Sequence, residues 1–114
     1  MGRWSQCRRR GGTTHQGILL PPLDTDWTVT MGAAGCVDAT KLVDFPPPAD
    51  RWQVRDRRVG TTTWNNHWRQ APGIFNLCGY PDGVEVEVQA CWWSQTAQLS
   101  PWTESKTGTT GPPP

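Results

Sequence analysis

The chain has 114 residues, 11 basic and 10 acidic side chains, and a net charge of +1. This length suits one small domain, and the near-neutral balance lacks the high net charge that keeps many chains unfolded. No apolar run approaches the roughly 20 residues of a membrane helix, and Ile18-Leu19-Leu20, cut off by Pro21-Pro22, is too short for a secretory signal.

Leu, Ile, Val and Phe together account for 18 of the 114 residues. That is about 16%, under the roughly 20% below which disorder becomes a concern. Eight tryptophans offset the deficit: Trp4, Trp27, Trp52, Trp64, Trp68, Trp92, Trp93 and Trp102. Each carries a large apolar face and one N–H donor, so it seeks burial with its nitrogen paired, or a ligand to stack on. Gly, Pro, Arg and Ala are abundant while Lys, Ile, Asn, Phe and Tyr are scarce, the skew that GC-rich codons produce.

Residues 1–17 are polar, basic and Gly-rich, and are expected to form a flexible N-terminus. Residues 18–50 read as a loop-rich segment in which Asp26-Trp27-Thr28-Val29-Thr30 alternates as a short extended piece. The best helical candidate is 36–45. Pro46-Pro47-Pro48 ends it, since proline removes a donor and disfavours helix in the residue before it. A small β-rich core is predicted over 51–93. Its first strand places Trp52 and Val54 on one face and Arg51, Gln53, Arg55 and Arg57 on the other.

A hairpin is predicted next, with strands at about 74–80 and 84–92 around Pro81-Asp82-Gly83. Proline pre-sets the first turn dihedral and Gly83 accepts the left-handed position. The outgoing strand has strict period two, with Val84, Val86, Val88, Ala90 and Trp92 on one face and Glu85, Glu87 and Gln89 on the other. Pairing Tyr80 with Val84 sets the register, adds Tyr80 and Ile74 to the valine face, and separates Cys78 from Cys91 too far for a disulfide. Residues 94–114 read as a flexible Ser/Thr/Gly/Pro tail. The fold class is therefore mostly β, small and loop-rich: one hairpin, one or two further short strands, and disordered tails at both ends.

Cys7, Cys36, Cys78 and Cys91 allow three pairings of two disulfides. Without a signal peptide, the expectation is a cytoplasmic protein with free thiols. Closed metal sites draw ligands in close pairs, and neither C-x-x-C nor H-x-x-x-H occurs, so no metal and no cofactor is expected. No nucleophile elbow or phosphate loop points to catalysis, and the chain reads as a non-enzyme.

Two surfaces remain. Adjacent strand residues point to opposite faces, so one of Trp92 and Trp93 is left outside the core. With Trp64 and Trp68 they form a candidate surface for a protein or glycan partner. The 50–70 segment carries a net charge of +3. Arg51, Arg55, Arg57 and Arg58 are interleaved there with Trp52, Trp64 and Trp68, a pattern that suits phosphate contact and base stacking. The acidic strand that follows argues against a continuous basic surface.

Trp68-Arg69-Gln70-Ala71-Pro72-Gly73 is similar to the second framework strand of antibody heavy-chain variable domains. That family places a cysteine about a dozen residues before this tryptophan and a Tyr-x-Cys after it. Neither spacing occurs here, and nothing is carried over from the resemblance.

Three functions follow, in order. The first is the product of a small orphan reading frame, non-enzymatic and without an evolved ligand. The second is a Trp-based binding module for a protein or carbohydrate. The third is weak single-stranded nucleic-acid binding through 50–70. No membrane association is expected.

Overall fold

In the computed structural model, residues 19–68, 70, 71, 73–95 and 100–112 are described. The expected flexible segment 1–17, with Trp4 and Cys7, lies outside them. The chain is mostly β, as predicted. Its strands are β1 (Trp27–Met31), β2 (Val37–Lys41), β3 (Arg51–Arg58), β4 (Asn65–Asn66), β5 (Ile74–Leu77), β6 (Glu85–Trp93) and β7 (Lys106–Thr109). They form two antiparallel sheets, one in the order β1-β2-β5 and the other β4-β3-β6-β7.

The strands predicted at 74–80 and 84–92 both exist, as β5 and β6, but they pair in different sheets. The reason is parity. In the hairpin register Phe75 and Leu77 would lie opposite Gln89 and Glu87, on the solvated face. Pairing β5 with β2 instead buries Phe75 and Leu77 and leaves Ile74 half exposed. Gly83 does take a left-handed φ of 70°, but its turn carries the chain from one sheet to the other. Thr110 holds that crossing, donating from Oγ1 to Pro81 O at 2.8 Å and accepting from Val84 N at 2.9 Å.

Residues 37–41 form a strand where a helix was expected. Val37 and Ala39 point inward and are fully buried while Asp38 and Thr40 are only partly covered, so period two prevails over the weak helical stripe. Residues 94–114, read as a tail, carry β7, which extends the β6 ladder with Val86 opposite Gly108. A side chain at Gly108 would stand 2.7 Å from Val29 Cγ1. Glycine there lets β7 close against β1.

The core lies between the sheets. Trp27, Val37, Trp52, Val54, Leu77, Val86, Val88, Ala90 and Trp92 are each at most 1% exposed. Trp52 and Trp92 are direct partners across β3 and β6. Trp52 reaches the opposite sheet through Phe75, edge to face with centroids 5.1 Å apart, and Trp92 is capped by Phe45 at 5.7 Å. Of the residues expected in this core, Val84 and Tyr80 are only half-buried.

Cys36 and Cys78 form a disulfide, and Cys91 is disulfide-bonded as well, in place of the free thiols expected. The register explains the first bridge. Val37 pairs with Leu77, so Cys36 and Cys78 occupy the next rung, with Cα atoms 4.0 Å apart.

Denaturant unfolding should separate core from surface indoles. Trp92→Ala is expected to cost about 3–5 kcal/mol, while Trp68→Ala, at an exposed position, stays within about 0.5 kcal/mol. Replacing Cys36 and Cys78 together by alanine is expected to lower stability by about 2–4 kcal/mol.

Candidate functional site

The outer face of the second sheet is built by β3 and β6 residues of the parity opposite to the core. Arg55 lies opposite Gln89 and Arg57 opposite Glu87. Arg55 donates from Nε and Nη2 to Gln89 Oε1 at 2.9 and 2.6 Å, and Arg57 Nε pairs with Glu87 Oε1 at 2.9 Å. Aromatic rings cover both guanidinium groups. Arg57 sits 4.0 Å from the Trp64 centroid, and Arg55 sits 4.4 Å from both the Trp64 and Trp102 centroids. The result is an alternating stack, Arg57–Trp64–Arg55–Trp102. Burial, and then the Arg57 charge, lower the Arg55 pKa. Hydrogen bonding from Arg57 holds the Glu87 carboxyl below its ordinary value.

The inner face of β3 carries an acid. Asp56 shares the parity of Trp52 and Val54 and is 2% exposed. A buried carboxylate needs partners, and it has two. His67 Nε2 meets Oδ1, and Tyr80 Oη donates to Oδ2. Asn65 donates to the Tyr80 oxygen at 3.2 Å. β4 supplies Asn65 through its pairing with Asp56, and the His67 N–H to Val54 O bond extends that edge. Burial first, then the Asp56 hydrogen bond and charge, push the Tyr80 pKa far above the ordinary phenol value.

The antiparallel ladders bring the described residues of four connections to one pole: 19–26, 42–50, 67, 68, 70, 71 and 73, and 94, 95 and 100–105. Lys106 ties the two sheets together there, donating from Nζ to the carbonyl oxygens of Asp24 and Trp27. Leu42 N donates to Asp26 O at 2.8 Å. Of the eight large apolar residues exposed among the described residues, six stand at this pole: Leu20, Leu23, Leu42, Val43, Trp68 and Ile74. A bulge follows β4 and Trp68, which the β3–β4 register already puts on the outward parity opposite Gln53. Asn66 pairs with Arg55, but Gln70 pairs with Trp52, so the edge strand holds one extra residue between these rungs. At the same pole Pro21, Pro22, Asp24, Trp102, Glu104 and Lys106 line a cleft of about 290 Å³.

The four tryptophans of the expected surface do not stand together. Trp92 belongs to the core, Trp64 is half-buried in the arginine stack, Trp93 is half-buried opposite Arg51, and Trp68 is 63% exposed at the pole. Of the arginines singled out for nucleic acid, Arg55 and Arg57 are held on the outer face. Arg51 donates to Asp50 O at 3.1 Å, and Arg58 is exposed at the far end of β3. Sequence reasoning missed Trp102, which lay in the presumed tail, and the Asp56 cluster. The signal for the cluster was available, since Asp56 falls on the Trp52 and Val54 face. Among the described residues no three His, Cys, Asp or Glu side chains gather to hold a metal ion. No helix among them is long and apolar enough to cross a membrane.

No protein-family model and no curated protein matches the sequence. Solved structures do match the fold. A myokine structure superposes with a TM-score of 0.62 at 13% identity, over 85% of this chain and 99% of that one. The fibronectin type III domain of human fibronectin type III domain containing protein 3 gives 0.64 at 10% identity, over 90% and 94%. The chicken CNTN1 FN1–FN3 domains give 0.67 at 10% identity, over 85% of this chain and 35% of that one. The fold is thus a fibronectin-type-III-like β-sandwich.

Tyr80 is the chain's one tyrosine, so its ionisation is directly visible by absorbance. The folded phenol holds its proton more tightly than the unfolded one, whose value is 10.0. Stability from this site is therefore full below that pH and is lost as pH rises above it. Tyrosinate absorbance is expected to appear near pH 10 in denaturant and only at higher pH in the folded protein. Tyr80→Phe should remove the corresponding alkaline loss of stability.

Proposed function

We propose that this β-sandwich is a non-catalytic recognition module that binds a protein partner through its apolar loop pole. The observation that carries this reading is the gathering, at one end of the sandwich, of six of the eight large apolar side chains exposed among the described residues. Exposed apolar surface concentrated in one place marks an interaction site more often than scattered single residues do. Loops clustered at one end of a sandwich are held by a rigid scaffold and are a common recognition surface.

Other features favour this over the alternatives. The Asp56 carboxylate is engaged by His67 and Tyr80, an arrangement that suits a buried structural acid. Arg55 and Arg57 already hold side-chain partners and rings, which leaves them poorly placed for phosphates and bases. The exposed apolar side chains of the pole are mostly aliphatic, with Trp68 the one exposed ring among them, which favours a protein partner over a glycan. Trp68 is the aromatic anchor of the proposed surface, and Leu42 its aliphatic centre.

The test is site-specific photo-crosslinking. A photoreactive residue at Leu42 is expected to capture a discrete partner, and one at Val59, on the opposite pole, is not. With the captured protein purified, Leu42→Ser and Trp68→Ser should each weaken binding at least about tenfold, as truncation of a central anchor does. Val59→Ser should leave binding unchanged. Equal capture from both poles, or affinity indifferent to Leu42 and Trp68, would overturn the reading.

A further inference from the structure

We infer that the cleft beside Trp102 receives an arginine side chain from a protein partner. This rests on the reading of the loop pole as the binding surface and names one contact within it. The alternating stack on the second sheet has two ends. At one end Arg57 is closed off by its ion pair with Glu87. At the other, the stack terminates on an aromatic rung. Trp102 carries Arg55 at 4.4 Å and also lines the 290 Å³ cleft with Pro21, Pro22, Asp24, Glu104 and Lys106.

The charges of that cleft point the same way. Lys106 is already committed. Its ammonium group donates to Asp24 O and Trp27 O, lies 3.5 Å from Asp24 Oδ1, and sits 4.7 Å from the Trp27 ring centroid. Glu104 is exposed and forms no hydrogen bond or ion pair among the described residues. The open cleft therefore offers an indole, two proline rings and a free carboxylate. A guanidinium matches that set better than an ammonium, because it is planar, weakly hydrated and stacks on aromatic rings while its edge pairs with a carboxylate. The incoming arginine would repeat on Trp102 and Glu104 what Arg57 does on Trp64 and Glu87. Repulsion from Arg55 is limited, since the indole stands between the two cations and Glu104 balances the added charge.

The experiment uses the full ¹⁵N-labelled chain and three short peptides that differ only in a central arginine, lysine or citrulline. The Trp102 indole N–H signal is assigned by its loss in Trp102→Phe. The arginine peptide is expected to shift this signal saturably in the millimolar range. The lysine peptide should bind several-fold more weakly, and the neutral citrulline peptide should not saturate. Glu104→Gln, at an exposed position that leaves the fold intact, should weaken the arginine peptide about threefold to tenfold. Glu85→Gln, at the distant end of β6, should not change it. Equal binding of the citrulline or lysine peptide, no saturable shift, or no effect of Glu104→Gln would overturn the inference. Leu42→Ser distinguishes the two proposals. If it weakens the captured partner while the arginine peptide fails to bind, the pole stands as the interaction surface and the arginine contact falls.

Discussion

Trp52 and Trp92 face each other across the β3–β6 ladder, both fully covered, and the sandwich is arranged around that pair. A chain this poor in leucine, isoleucine and phenylalanine cannot fill the space between two sheets with aliphatic groups alone. Large rings solve the problem with few residues, since a buried indole removes on the order of 200 Å² from water. At roughly 25 cal/mol per Å² this is about 5 kcal/mol for each ring as an upper estimate. Trp52 also touches Phe75 of the other sheet. The same ring that anchors one ladder thereby sets where the second sheet must lie, and β5 is drawn to β2 and away from β6.

Placing Trp52 inward fixes the parity of all of β3, with a polar consequence. Asp56 comes inward on the same face as Trp52 and Val54. Leaving it unpaired would cost several kcal/mol, so the edge of the sheet is organised to satisfy it. β4 pairs with β3 for only two residues and delivers Asn65, the chain just after it delivers His67, and the crossing between sheets delivers Tyr80. The bulge that follows is a local adjustment of this edge.

Much of the fold is legible from period two. β3, β5 and β6 fall close to where alternation puts them, because most of their inward residues are apolar and most of their outward ones polar, with Asp56 inward and Ile74 and Trp93 outward as exceptions. Pairing is less legible. Phe75 and Leu77 carry the information that separates β5 from β6, but it emerges only when both registers are tested for which side chains they expose. β2 is obscured because Val37, Ala39 and Thr40 are small or weakly apolar, so a strand and a poor helix look alike. β7, Lys-Thr-Gly-Thr, has no apolar side chain to announce it. It forms because β6 offers a ladder and Gly108 admits the close approach of Val29. The pole is the least legible feature, since it joins residues from four connections that only the completed topology brings together.

The same parity divides the tryptophans by task. Trp52 and Trp92 are inward and serve the core, as does Trp27 from the other sheet. Trp64 and Trp102 are outward and would be costly as bare rings in water, yet the outward residues of β3 are arginines, whose planar heads cover them. A guanidinium stacked on an indole keeps its edge free to hydrogen-bond, which is how Arg55 and Arg57 hold Gln89 and Glu87 at the same time. The part of this face around Arg55 and Arg57 is therefore covered by stacked side chains. Among the described residues, exposed large apolar side chains are found mostly at the loop pole, where the chain leaves the ladders.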